Sequence, residues 1–328
     1  MPFPSHIPIC DPHFHVWDNK VNPKNLNLGP IADGPLGVYL TKDIKVATAS
    51  LPYVAGVHVE TVVGQKEGGF IIDTVEETRF VRSDIAGFGS CAPFGICAHV
   101  HLGREDAAKV IAQHLVAGGA RFVGVRMILN YCAEDPTLTW PQVESDDFLK
   151  PLDAGGNLYF GKNLALLSRL GLVYDMHANW WQLESAAAKF FSLGNDCPTV
   201  VVDHLGCPKL GCNFEEDAKR LASWKTGMAA LAKNDQVHIK ISGLEYIYGG
   251  WLVAGSKARE VVRECVFFVL KHFGLRRCMV ASNNPVDLAM GGKVCPVRAS
   301  AYLFRFIHSQ PSISYLFPIV TVGLCRLI

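Results

Sequence analysis

The chain has almost no net charge. Its 31 basic and 30 acidic side chains leave a formal +1, and no basic stripe stands out. That argues against a nucleic-acid-binding surface, which needs a positive footprint. Charged residues are also few, 19% against 49% hydrophobic, a balance that opposes wholesale disorder and predicts a large buried core. Paired cysteines are missing: the eleven cysteines are scattered and none forms a C-x-x-C pair. An odd count without paired spacing predicts free thiols in a reducing compartment rather than a disulfide framework. No apolar run reaches the ~18 residues a membrane helix needs. The opening Met1-Pro2-Phe3-Pro4-Ser5-His6 has neither the basic start nor the apolar centre of a signal peptide. The expectation is a soluble, cytoplasmic protein with no membrane or nucleic-acid partner, acting on a small molecule, singly or as a homo-oligomer. Repeats and low-complexity segments are absent too, and no glycine-rich turn follows the first strand, where a dinucleotide-binding sheet would carry one.

What is present is an alternation. Short apolar segments at 54–60, 94–101, 121–128, 171–177, 199–204, 237–242 and 278–282 follow an opening strand that runs into Asp11-Pro12-His13-Phe14-His15. Helical spacing fills the gaps, at 41–50, 70–82, 104–117, 163–170, 183–191, 214–233 and 258–273. Continuous apolar strands alternating with amphipathic helices predict a parallel sheet covered on both faces. Eight such units in 328 residues fit one closed (β/α)8 barrel spanning 1–328. Residues 19–40 and 130–156, rich in Asn, Gly and Pro, read as long loops, the first placed to cover a site after the two histidines. Residues 309–328 form an atypical apolar tail whose one charged side chain is Arg326.

The polar residues fall at the strand ends. On an extended backbone i and i+2 share a side, so His13 and His15 project together, a geometry suited to two nitrogen ligands on one metal. Glu60, Arg126, His177, His204, Lys240 with Ser242, and Ser282 with Asn283 close later strands. Active sites of barrels sit at the C-terminal strand ends, so this concentration predicts a catalytic pocket rather than a structural shell.

Asp11-Pro12-His13-Phe14-His15-Val16-Trp17-Asp18 resembles the opening of the amidohydrolase-related barrels, the amidohydrolase 2 family, in its branch of sugar-lactone and 2-pyrone-4,6-dicarboxylate lactonases. Further matches are Gly124-Val125-Arg126, Gln182-Leu183, Asp203-His204-Leu205-Gly206-Cys207-Pro208, Lys240-Ile241-Ser242-Gly243-Leu244 and Ala281-Ser282-Asn283-Asn284-Pro285-Val286-Asp287. The resemblance implies a hydrolase in which His13, His15, His177 and His204 occupy the ligand positions of one divalent ion, zinc or manganese. Lactonases of this branch work without a metal, so the resemblance leaves both options open. A bridged two-metal site is not expected, because Arg126 stands where a carboxylated lysine would be needed. The departure is at the eighth strand: Asn283 replaces the usual aspartate, and an amide cannot act as a general base. Glu60 or Asp287 is then the candidate to activate water.

Other residues have two readings each. Arg126 could clamp a substrate carboxylate, or form a salt bridge inside the barrel. Trp180 and Trp181 could wall a ring substrate, or anchor the fifth helix. Lys240 could hold an oxyanion, or a structural ion pair. His58, His99, His101 and His238 are not expected as ligands, and Cys10 and Cys207 read as small buried residues. The leading function is hydrolysis of a lactone or carboxylic ester of a small acidic or sugar-derived molecule. A metal-dependent non-oxidative decarboxylase and a catalytically degenerate binding barrel are the other readings.

Overall fold

The computed structural model describes residues 8–18, 36–61, 66–67, 70–71, 74–89, 92–139 and 147–289. Eight strands form one sheet: β1 (Ile9–Phe14), β2 (Tyr53–Val59), β3 (Phe94–His99), β4 (Phe122–Ile128), β5 (Val173–His177), β6 (Val200–Val202), β7 (Val237–Ile241) and β8 (Cys278–Val280). Each pairs in parallel with the next in sequence. The ring closes just beyond β8: Asn283 N donates to His13 O and His15 N donates to Asn284 O, both at 2.8 Å, while Phe14 bridges Asn284 in parallel. The crossovers carry α1 (Thr41–Thr48), α2 (Thr74–Ile85), α3 (Ala107–Gly118), α4 (Leu158–Arg169), α5 (Leu183–Ser192), α6 (Phe214–Leu231) and α7 (Lys257–Phe273). This is the (β/α)8 architecture that the alternation predicts.

Side chains alternate across each strand. One set, including Ile96, Ala98, Val125, Met127, Tyr174, Met176, Val202 and Ile239, joins the large core shared with the helices. The other set plugs the lumen: Cys10, Ala55, Val201 and Met279 in one cluster, Val57, Val59 and Cys97 in another. Each fully buried aliphatic or aromatic side chain contributes ~1.5–3 kcal/mol, so both sets specify which face of a strand looks inward. A cavity lined by Pro12, Val57, Cys97, Val123, Val201 and Met279 ends against Lys240 and Asp175. Polar chemistry begins at that level and continues towards the C-terminal strand ends.

Several boundaries differ from the sequence reading. The helix expected at 70–82 starts at Thr74, and Phe70–Ile71 pairs instead with Lys66–Glu67 as a two-stranded ribbon. The helix expected at 163–170 begins earlier, at Leu158, because the Asn157 side chain caps it by accepting from Tyr159 N and Phe160 N at 3.0 Å each. β6 and β8 are shorter than expected, and their last residues enter turns. Most of the loop expected at 19–40, part of the one at 130–156 and all of the 309–328 tail lie outside the described residues.

Candidate active site

Above the apolar plug lies a buried ionic layer. Lys240, from β7, donates to Asp175 of β5 and, at 3.1 Å, to Asp203 Oδ1 after β6. Arg126, from β4, donates Nε to Glu60 Oε1 at 2.7 Å and Nη2 to the Glu60 carbonyl at 2.6 Å, and its Nη1 stands 3.7 Å from Asp203 Oδ2. Asp11, on β1, accepts from Ser282 N at 3.0 Å and from the Ser282 hydroxyl. Three carboxyl groups, of Asp175, Asp203 and Glu60, thus share two cations, and Asp11 is held by Ser282, all buried. Burying unpaired charge is costly, so burial pushes the acids of this layer towards their neutral forms. Burial raises Asp11 to about 6 and Glu60 to about 7, and lifts Asp175 well above the carboxylate range. Burial pushes Asp203 up as well, but Lys240 and His13 outweigh it and hold this carboxyl well below its ordinary value.

Four histidines stand in a row above this layer. Ring centroids lie 4.9 Å apart from His15 to His13, 4.8 Å from His13 to His204 and 5.4 Å from His204 to His177. Burial lowers the pKa of all four, so each ring is neutral and carries one proton. The partners then place that proton. His15 Nδ1 faces the Val59 carbonyl at 2.7 Å. A carbonyl only accepts, so the proton is on Nδ1 and Nε2 is a lone pair. That lone pair faces His13 Nε2 at 3.1 Å and Asn283 Oδ1 at 3.2 Å. Asn283 presents its oxygen because its amide nitrogen donates to Asp287 Oδ1 at 2.7 Å. His13 Nδ1 lies 3.1 Å from Asp203 Oδ1 and 3.2 Å from Lys240 Nζ.

The two proton positions on His13 give two patterns. With the proton on Nε2, His13 donates to His15 and accepts from Lys240. With it on Nδ1, His13 donates to Asp203, and three acceptors converge: His13 Nε2, His15 Nε2 and Asn283 Oδ1. A cation is the partner that satisfies all three, and imidazole nitrogens with an amide oxygen suit zinc or manganese. Among the described residues, His13, Asp203 and His204 also offer ligand atoms within 4.8 Å of one another.

His204 opens a tight turn. His204, Leu205, Gly206 and Cys207 all have φ between +49° and +67°. Left-handed backbone costs roughly 1–2 kcal/mol per non-glycine residue. The Trp224 indole, donating to the Leu205 carbonyl, helps to hold it. His204 Nδ1 meets Ser242 Oγ at 2.9 Å. Room for the ring depends on Gly243, whose φ is +61° and where a Cβ would lie 2.7 Å from His204 Nδ1. His177 is oriented from its other side. Asn179 donates to the Leu138 carbonyl, so its oxygen accepts from Asn130, and the Asn130 oxygen faces His177 Nδ1 at 2.6 Å. The His177 proton is therefore on Nδ1, and the Nε2 lone pair faces Cys207 Sγ at 3.4 Å.

Of the residues the sequence points to, the structure brings His13, His15, His177, His204, Lys240, Asn283 and Asp287 together around one centre, while three others make different contacts. Arg126 is not an open carboxylate clamp, because Glu60 occupies its Nε and Nη2. Glu60 is engaged by the same pair, one layer below the histidines. Trp180 is spent on packing: it stands edge-on to Trp181 and takes the Arg220 guanidinium 4.5 Å over its ring. His58 accepts from Val16 N at 3.2 Å and faces Glu77, so it supports the strand end rather than the centre. Asp11, Asp175, Asp203 and Asn130 carry no role in the sequence reading, and Cys207 is read there as a small buried residue rather than a nucleophile. Three of them had a readable signal: Asp11 and Asp175 sit two residues before His13 and His177, on the same strand face, and Asp203 directly precedes His204.

A family model described as Amidohydrolase matches residues 10–292. The uncharacterised protein y4mH of Sinorhizobium fredii is 26% identical over 294 residues, 86% of each chain. Among solved structures, an amidohydrolase from Burkholderia multivorans with bound zinc has a TM-score of 0.71 at 20% identity over 98% of both chains. A Pseudomonas putida protein assigned as a 2-pyrone-4,6-dicarboxylic acid hydrolase has a TM-score of 0.64 at 15% identity, again over 98% of both.

Proposed function

Because the chain belongs to the amidohydrolase family, we propose that it hydrolyses a carboxylic ester, with the lactone ring of a small sugar-derived molecule as its substrate class. The observation that carries this reading is the convergence of His13 Nε2, His15 Nε2 and Asn283 Oδ1 at the C-terminal mouth of the barrel. Those three atoms would hold a divalent ion. Such an ion, zinc or manganese, supplies a bound water of pKa near ~7 and a Lewis acid for the carbonyl.

The chain's own groups do the rest. Val59 and Asp203 hold the two imidazoles with their Nε2 atoms aimed together, the second-sphere support that metal ligands require. Lys240 locks Asp203 in place and lies one contact from His13. Asp287, which accepts from Asn283, would take a proton from attacking water in this reading, a role the amide of Asn283 cannot fill. Since Arg126 is committed to Glu60, the reading favours neutral, hydroxylated lactones over dicarboxylates. The zinc in the Burkholderia structure and the hydrolase assignment of the Pseudomonas protein support it.

The test is metal content of the purified protein, then turnover of neutral sugar lactones and of a pyrone dicarboxylate, with and without chelator. One divalent ion per chain and chelator-sensitive opening of neutral lactones is the expected result. Release of CO2 without ester hydrolysis would replace this reading with decarboxylation.

A further inference from the structure

The mechanism above leaves one constellation unused. Cys207, His177 and Asn130 stand in line at the ends of β6, β5 and β4, with Sγ to Nε2 at 3.4 Å and Nδ1 to Oδ1 at 2.6 Å. The order is thiol, imidazole, amide. It is the arrangement of nucleophile, base and orienting group that acyl-transfer enzymes reach on unrelated folds. We propose that Cys207 is a nucleophile that takes the acyl group of the ester, with His177 as its base and Asn130 as the residue that positions the base.

Three observations support the roles. First, the tautomer is determined by the chain: the Leu138 carbonyl sets the Asn179 amide, which sets the Asn130 amide, which puts the His177 proton on Nδ1. His177 Nε2 is therefore the one ring atom able to accept the thiol proton. Second, Cys207 sits at φ +49° directly after Gly206, a position where glycine would be free of strain and cysteine is not. A strained non-glycine residue after a barrel strand, carrying the one thiol among the described residues that meets an oriented imidazole, has the form of a functional site. Third, the row of rings makes His177 continuous with the centre through His204, the ring centroids lying 5.4 Å apart.

The step balances as follows. Sγ attacks the ester carbonyl carbon while its proton passes to His177 Nε2. The C–S bond forms, the C–O bond breaks, and the leaving oxygen takes the proton from Nε2. Water then attacks the thioester, its proton passing to His177 and on to Sγ, which releases the acid. Splitting the reaction this way replaces one difficult step by two easier ones. Burial pushes the Cys207 thiol up, so the pair acts by proton transfer during attack rather than as a preformed ion pair.

The inference rests on the ester-hydrolase reading, and its test is separable from it. The intact protein is mixed with p-nitrophenyl acetate, and acetylated cysteines are located by peptide mass at early times. The exposed Cys212 is an internal control. The expected result is that buried Cys207 acetylates faster than Cys212, and that His177→Ala abolishes the first without changing the second. Cys207→Gly suits the left-handed backbone and so keeps the turn. It is expected to lose roughly 100-fold or more of lactone turnover with its metal content unchanged. No acetyl on Cys207, or full turnover in Cys207→Gly, overturns the nucleophile and leaves ester hydrolysis by water standing. Failure of the wild-type protein to open any lactone sinks the ester reading, while acetylation still decides the thiol.

Discussion

Asn283 shows how one amide answers two neighbours. Its oxygen faces His15 at 3.2 Å and its nitrogen serves Asp287 at 2.7 Å. An aspartate here would bind a cation more strongly but would confront Asp287 with a second carboxylate. Asn283→Asp is therefore expected to retain zinc through dialysis better than the parent. In chelator it should melt lower, by about 1–3 kcal/mol for the lost hydrogen bond. Thermal melts with and without zinc check both signs, and a variant that melts alike in each removes the cation from the argument. Gly243 is the second sensitive position. Gly243→Ala meets His204 Nδ1 at 2.7 Å and a φ of +61°. Its strain is about 1–2 kcal/mol, but displacing His204 by an ångström should cost roughly 100-fold in turnover. Activity falling well ahead of Tm is the expected signature.

At the scale of elements, the Arg126–Glu60 pair joins β4 to the end of β2 inside the barrel. Removing one partner strands a buried charge. Arg126→Met is expected to lose about 3–5 kcal/mol, and Glu60→Leu added to it should restore most of that. Urea melts of the two variants decide it; equal stability of single and double would mean the pair is not coupled. These elements also show what the sequence made legible. Strands such as Val173–His177 were visible because apolar runs with polar ends leave few alternatives. The start of α2 was not, since Phe70 and Ile71 fit a helix face as well as the short ribbon they form. Asn157 was overlooked as a cap because a lone asparagine in a loop carries no period. The histidines of the site could be read because strand ends point at one mouth. That Arg126 is consumed could not, because Glu60 is 66 residues away and their pairing exists only once the sheet has closed.

For the whole molecule, acid is the expected weakness. Burial holds His58 and His99 neutral down to about 3, against an ordinary 6.5. The unfolded chain takes up those protons first, so the contribution of these two histidines is full above about 6.5 and falls as pH drops below it, by about 1.4 kcal/mol per pH unit for each, while Asp11, Glu60 and Asp287, raised to between about 6 and about 7, act in the opposite sense. Melting at stepped pH from 8 to 5, with His99→Asn flattening the lower limb, measures it; an unchanged limb would acquit His99. The seam of the ring has a further meaning. β1 and the segment after β8 meet through two backbone hydrogen bonds, made by the very residues that aim His15 and Asn283 at each other across 268 positions of chain. An ion held there would be a clasp as much as a reagent, locking the hoop where its two ends meet. Loading should slow amide exchange at His15 and Asn283 more than at any other strand boundary. An empty barrel would then unbuckle first at the place where it does its chemistry.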